Sequence, residues 1–527
     1  MNHIKIDLER IISDIDRNIF GGYLEITRTE GRLTHLNIGD SPQADKSLLR
    51  SDIRTALERM NLSIMRFGGN FFSGYRWMDG VGPKQDRPAR HDLAWNRITQ
   101  NQFGTNEFIQ LCRALNVEPY LNVNGGDGSM REAADWVEYC NGTGDTALAN
   151  LRRKHGFEEP HNVKYWGIGN EVDGDWQIGY KTPEEYAREY TEFSKVMKRT
   201  DPNIKLIASA VSYWEDSHHH PGLKTQWVER AQLMLEQAGD RIDYMAIHRY
   251  AHTSYDDPFE TYMAFGEDLN ERLNAYEGLI KAVSLERGIK HAVNIAVDEL
   301  GVSRVPSDLV KVPRVNLARD EWGVMRIIPG KETISERGRI FINLEDALVE
   351  ALYLNAFIRH SASVRLVNFA TMPIMPLGLS LTDPDSPVLI QPIFYPFEIY
   401  SHTCGKQALD VFWYGDTFSA NFLDRSYNGI RTLDVAATLD ESRKQLVVYV
   451  VNQSKNKVME TTITLTSGQF AGDVNISVVN GPDVKAENTV EAPNQVGVRE
   501  LNLKASGTYF TYTFEPHSVT ALVCRVS

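Results

Sequence analysis

Glu171 follows an asparagine and the stretch Tyr165-Trp-Gly-Ile-Gly, and a second glutamate, Glu299, closes an apolar run that begins at Val293. Two carboxyl groups about 5 to 5.5 Å apart can cleave a glycosidic bond with retention, one protonating the leaving oxygen while the other attacks the anomeric carbon. That chemistry requires a protonated Glu171 beside an ionised Glu299. Asn170 can hydrogen-bond a sugar hydroxyl, and such a bond strengthens as charge develops on the ring. The second carboxylate has a competitor, because VNIAVDELGV (293–302) and VNLARDEWGV (315–324) are near duplicates and leave both Glu299 and Glu321 as candidates. Residues 293–297 are apolar enough for a strand buried on both faces, whereas Pro313, Arg314 and Arg319 precede Glu321, so Glu299 is preferred.

The elements that must carry these groups read as repeated βα units. Short apolar, β-rich runs occur at 20–25, 63–67, 118–123, 163–168, 205–210, 242–247, 293–297 and 364–369, with amphipathic helical patterns between them. Thr182, Pro183 and Glu185 form a capping box that opens a helix running to about Arg199, and a second helix is expected over 269–286. Eight such units predict a (β/α)8 TIM barrel, an α/β fold whose active site lies at the C-terminal ends of the strands. Those ends carry Glu25, Asn70, Asn122, Asn124, Asn170, Glu171, His248, Tyr250, Asp298 and Glu299. From about Gln407 the pattern changes to many short strands with Gly, Asn and Pro turns, which predicts a C-terminal all-β sandwich. A short strand within 4–12 is expected to pair with it, placing the barrel at 16–400 and the sandwich at 1–15 and 401–527.

The 527 residues carry a net charge of −14, which argues against nucleic acid or an anionic membrane as partner and favours a neutral substrate, a condition that the small carbohydrate required by the paired carboxylates meets. No run reaches about 18 apolar residues, and the first residues lack the apolar core of a secretory signal. Cys112, Cys140, Cys404 and Cys524 are scattered without metal-ligand spacing, so reduced thiols and a cytoplasmic location are expected. His218-His-His220 is the only dense histidine group. It keeps metal-assisted hydrolysis open as a rival, while the preferred chemistry needs neither metal nor organic cofactor.

Several segments together resemble glycoside hydrolase family 51, best known for α-L-arabinofuranosidases. They are GGNFFSGYRWMDGVGP (68–83), DLAW (92–95), NQFGTNE (101–107), KYWGIGNEVDGDWQIG (164–179), DAL (346–348) and QPIFYPF (391–397). The resemblance covers most of the chain and implies an acid/base after strand four, Glu171, and a nucleophile after strand seven, Glu299. It further implies that Glu25, Asn70, Asn170 and Gln391 bind the furanose, that His248 and Tyr250 supply a His-x-Tyr at the end of strand six, and that Trp95 lines the pocket rim. The implied activity is that of a retaining, exo-acting α-L-arabinofuranosidase on plant-cell-wall oligosaccharides, and the implied assembly is a homo-oligomer, often a hexamer. The chain departs from the family pattern in placing Leu300 after Glu299, with the Asp-Glu-Trp form at 320–322 instead, and Ile26 after Glu25. The same mechanism on a galactofuranoside, xyloside or β-glucan, or a catalytically silent carbohydrate-binding protein, are the alternatives.

Overall fold

The computed structural model describes residues 2–24, 50–95, 97–174, 177–212, 227–254, 257–305, 317–319, 325–327, 342–370, 388–422 and 425–527. Eight parallel strands close a barrel: β1 (Gly21–Leu24), β2 (Ile64–Phe67), β3 (Glu118–Val123), β4 (Tyr165–Ile168), β5 (Lys205–Val211), β6 (Tyr244–Ser254), β7 (Asn294–Val305) and β8 (Val364–Phe369). Each pairs with the next, and β8 returns to β1 through Asn368 and Gly21. Every expected barrel strand is present. Two of them run far beyond their expected ends, because β6 and β7 continue to pair with each other from Gly301 opposite Tyr250 to Val305 opposite Ser254.

Side chains on a strand alternate between faces, so residues two apart stack in successive layers inside a barrel. Ile64, Tyr120, Tyr165, Ile207, Tyr244, Ala246, Ala296 and Leu366 form one apolar cluster. Two residues further along β2, β3 and β4 come Arg66, Asn122 and Gly167, so the layer above is polar. Gly167 leaves the space that this layer needs: a Cβ there would lie 2.3 Å from the Asn122 side-chain oxygen.

The helix Pro183–Thr200 opens with the expected capping box, Thr182 accepting from the Glu185 amide and Glu185 reaching back to the Thr182 amide. The helix Phe265–Arg287 ends at Gly288, whose left-handed backbone stops it. The helix Leu344–Arg359 is buried from Leu344 to Ile358. Asn355 and Arg359 near its end bond Asp434 of the C-terminal domain, so this helix joins the two domains.

That domain is one continuous nine-stranded sheet, and the N-terminal strand Asn2–Asp14 belongs to it, parallel to Met459–Leu465 and antiparallel to Gln407–Tyr414. The sheet curls on itself like a sandwich. Phe470, on the second strand from one edge, meets Phe510, on the strand at the other edge, with ring centroids 4.8 Å apart. Ile4, Ile6, Val448, Val450, Ile463, Val474, Ile476 and Leu522 share the enclosed core. Tyr449, Val451, Val519 and Ala521 point the other way, into the apolar core shared with the barrel.

Candidate active site

Glu171 stands three residues beyond β4, and the turn that delivers it is unusual. Gly169 has φ of 75° and Glu171 has φ of 47°. A non-glycine residue held in the left-handed region stores strain, and such strain clusters at functional sites. The turn is closed by the Gly174 amide donating to Glu171 O at 2.9 Å.

Glu299 arrives from β7 by a different device. Ala296 pairs with Ala246 and Glu299 with His248, so three steps on β7 match two on β6 and one residue is extra, a β-bulge. In a regular strand Asp298 and Glu299 would face opposite sides. The bulge turns both inward: Asp298 accepts from Tyr120 at 2.7 Å, and Glu299 Oε1 accepts from the Tyr250 hydroxyl at 2.5 Å.

Arg66 holds this corner. Its Nη1 donates to Glu299 Oε2 at 3.0 Å and to Asp298 O at 3.2 Å, its Nη2 donates to Asn170 Oδ1 at 2.6 Å, and its Nε lies 3.3 Å from Asp298 Oδ2. Its guanidinium also lies over the rings of Tyr23 and Tyr120, at 5.5 and 5.6 Å. A buried arginine is tolerated because charges and acceptors surround it. Burial opposes its charge, but Asp298, Tyr120 and Glu299 keep its pKa well above the ordinary value.

His248 links the two glutamates. Its Nδ1 lies 3.0 Å from Glu171 Oε1 and 3.8 Å from Glu299 Oε2, and its Nε2 lies 3.2 Å from Asp298 Oδ1. Burial favours the neutral ring, yet the Glu299 charge and the bonds to Asp298 and Glu171 outweigh it and push the pKa up to about 10. Asp298 is held low: burial would raise its pKa, but Arg66, His248 and Tyr120 stabilise the carboxylate. The His248 imidazolium and the Arg66 guanidinium thus oppose the carboxylate charges beside them.

Donor atoms of Glu171, His248 and Glu299 all lie within 4.8 Å of one another. This places the two carboxyl groups near retaining spacing and short of the roughly 6.5 to 9.5 Å that inverting enzymes need. The set fits a cation poorly, since both His248 nitrogens already face carboxylates and the Arg66 guanidinium lies 3.0 Å from Glu299. His218, His219 and His220 lie outside the described residues.

Asn70 Oδ1 accepts from Asn170 Nδ2 at 2.9 Å and from Gln177 Nε2 at 2.6 Å, so Asn70, Asn170 and Gln177 join the network. His248 and Tyr250, the expected His-x-Tyr of strand six, touch the two glutamates directly. Trp95 is half-buried against the barrel core, its amide on Asp92 Oδ1 at 3.3 Å. Gln391 is buried, its amide nitrogen 3.5 Å from Leu389 O in its own loop. Glu25 and Glu321 lie outside the described residues. Sequence reasoning did not single out Arg66, Tyr120 or Gln177. A charge in the otherwise apolar run Ser63-Ile-Met-Arg66-Phe67 was the available signal, because a buried charge demands partners.

The comparisons with known proteins agree with this geometry. The family profile for the α-L-arabinofuranosidase 1 domain matches residues 56–266, and that for the α-L-arabinofuranosidase C-terminal domain matches residues 320–518. The chain is 34% identical to α-L-arabinofuranosidase C of Emericella nidulans, over 98% of this chain and 96% of that protein. It is 30% identical to intracellular exo-α-(1→5)-L-arabinofuranosidase 1 of Bacillus subtilis, over 97% of each. Among solved structures it resembles the arabinose complex of the Thermotoga maritima α-L-arabinofuranosidase, with TM-score 0.82, 32% identity and 100% of both chains covered. The GH51 α-L-arabinofuranosidase of Thermotoga petrophila gives TM-score 0.82 at 31% identity, covering 99% of this chain and 100% of that one.

Proposed function

The chain belongs to the α-L-arabinofuranosidases of glycoside hydrolase family 51, and from that premise we propose a double displacement in which Glu299 is the nucleophile and Glu171 the general acid/base. The protein is a glycoside hydrolase, an exo-acting α-L-arabinofuranosidase. The observation that carries the mechanistic assignment is the spacing of Glu171 and Glu299, whose donor atoms lie within 4.8 Å.

In the first step Glu171 protonates the glycosidic oxygen as a Glu299 oxygen bonds to the anomeric carbon, releasing the alcohol and leaving a covalent arabinosyl ester. Tyr250 and Arg66 hold the two Glu299 oxygens, fixing the attack geometry. The carboxylate that forms on Glu171 already has the His248 imidazolium against Oε1. In the second step Glu171 removes a proton from water, which attacks the same carbon and frees Glu299. Asn70, Asn170 and Gln177 form a linked amide set that suits the hydroxyls of the furanose, and Glu25, Trp95 and Gln391 remain proposed sugar contacts.

Oligosaccharides derived from plant cell walls are the proposed substrates. The name of the Bacillus subtilis relative and the four free thiols support a cytoplasmic location. Among the described residues no helix is long and apolar enough to cross a membrane. A homo-oligomer is proposed from the family, to be read by sedimentation.

Separate Glu171→Ala, Glu299→Ala and Glu321→Ala variants assayed with azide test the mechanism. Glu299→Ala should lose on the order of 10⁴-fold or more in turnover and yield a glycosyl azide of inverted configuration. Glu171→Ala should lose about 10²- to 10⁴-fold and yield the retained azide. Inverted azide from Glu321→Ala instead would move the nucleophile to that segment.

A further inference from the structure

Past Ile247, no described residue pairs with β6 on its β5 side. Its pairing with β5 ends at Val211 opposite Ile247, whereas its pairing with β7 continues to Ser254. His248, Arg249 and Tyr250 therefore lie just past the last described β5–β6 pair. His248 and Tyr250 face inward, at 3.0 Å from Glu171 and 2.5 Å from Glu299. Arg249, between them, faces out.

Arg249 is buried, lies over the Phe265 ring at 5.1 Å, and donates through Nη2 to Asp268 Oδ2 at 2.5 Å. Asp268 sits in the first turn of the helix Phe265–Arg287 and is fully buried. Its Oδ2 also accepts from Arg272 Nε at 2.8 Å, and its Oδ1 accepts from the Tyr427 hydroxyl at 2.7 Å. Burial opposes the charge of Asp268, but Arg249, Arg272 and Tyr427 keep its pKa below the usual carboxylate range.

Tyr427 belongs to the other domain. It lies on a two-stranded hairpin, Thr417–Phe422 with Arg425–Arg431, inserted between two strands of the nine-stranded sheet. The hairpin reaches back to the barrel. Thr261 Oγ1 donates to Asn421 O at 3.1 Å, and Arg425 Nη2 lies 2.7 Å from Glu271 Oε2.

We infer that Arg249, Asp268 and Tyr427 are positioning residues for the glycosidase reaction, through which the hairpin of the C-terminal domain sets the strand segment that presents His248 and Tyr250. This rests on the assignment of Glu171 and Glu299. Consecutive Cα atoms are about 3.8 Å apart along a rigid backbone, so a shift at Arg249 moves both neighbours. Hydrogen bonds weaken within a few tenths of an ångström, and a misplacement of about 1 Å at a reacting centre costs around 100-fold in rate. A cluster serving only to glue the domains would change stability and leave turnover alone.

The test uses the full chain and p-nitrophenyl α-L-arabinofuranoside. Arg249→Met should lower kcat by about 10- to 100-fold with KM changed less than about twofold, and Arg249→Lys should recover part of the loss. Tyr427→Phe keeps the ring and removes one hydroxyl. It should lower kcat by about threefold with the unfolding midpoint shifted by only a few degrees. It decides the matter alone if Arg249→Met does not fold. Folded variants with wild-type kcat and only a lowered midpoint, or a rise in KM alone, would overturn the inference. Glu299→Ala run beside them separates the two readings: if it keeps turnover, the catalytic assignment fails, and if it loses turnover while Arg249 and Tyr427 variants do not, only the positioning role fails.

Discussion

Among the described residues, every buried Asp, Glu or Arg lies between Arg50 and Glu350, in the barrel and the helices around it. The nine-stranded sheet also buries polar side chains, but they are neutral, among them Thr438, Asn452, Thr461, Ser518 and Thr520. Its enclosed core is Ile, Val, Leu, Met and Phe with a few alanines and one cysteine. Burying a charge carries a desolvation cost that partners must offset, and a fold optimised only for stability avoids it. The barrel mouth accepts that cost because developing charge at the anomeric carbon and on the leaving oxygen must meet fixed charges and dipoles. The sheet domain carries the opposite emphasis, and at Tyr427 it donates a hydrogen bond to a buried charge of the barrel half, Asp268.

Removing a charge from the mouth should therefore damage rate and stability together. Arg66→Met leaves Asp298 and Glu299 buried with His248 as their only described cationic partner, and is expected to lower kcat by about 10³-fold and stability by roughly 3–5 kcal/mol, read by steady-state kinetics and denaturant unfolding. A cavity in the sheet should affect stability alone: Leu522→Ala should lose about 2–5 kcal/mol with kcat unchanged at temperatures where the protein stays folded. A comparable loss of kcat in Leu522→Ala would break the contrast.

The contrast can be sharpened by pH. His248 has a pKa raised to about 10 in the folded state against about 6.5 for an ordinary histidine, so its ionic contribution is complete below about pH 6.5 and is lost as pH rises through 10. The stability advantage of the wild type over His248→Gln should shrink across that window in denaturant titrations. A constant difference would show that the imidazolium contributes nothing.

Glu350 is the counterexample within the barrel half. Among the described residues both of its carboxyl oxygens are buried without a hydrogen-bond partner, and burial, then the charge of Asp346, drives its pKa well above the ordinary value. The folded state disfavours its ionised form, whereas the unfolded chain ionises it freely above about pH 4.5, which favours unfolding as pH rises through that value. Glu350→Met should raise stability by about 1–3 kcal/mol near pH 7, with the gain shrinking as pH falls through 4.5. A loss of stability at pH 7 would point to a structural need for the carboxyl group.

The smallest effect is expected at the amide set. Gln177→Leu removes one donor to Asn70 and should lower kcat/KM about tenfold with a stability change near 1 kcal/mol.

Much of this molecule was legible from residue order alone. Apolar runs of strand length alternating with capped amphipathic helices dictate βα units, and the eight barrel strands fall where those runs lie because both faces of each strand must be buried. Glu171, Asn170 and Glu299 were visible as polar groups at strand ends. What residue order could not decide depends on three-dimensional register. Alternation alone puts Asp298 and Glu299 on opposite faces, and only the bulge on β7, created by its pairing with β6, turns both into the site. Arg66 lies 105 residues before Glu171 and 233 before Glu299, and becomes their partner only when the barrel closes. The roles of His248, Tyr250 and Tyr427 likewise follow from distances set by packing, since a hydrogen bond between groups far apart in the chain has no local signature.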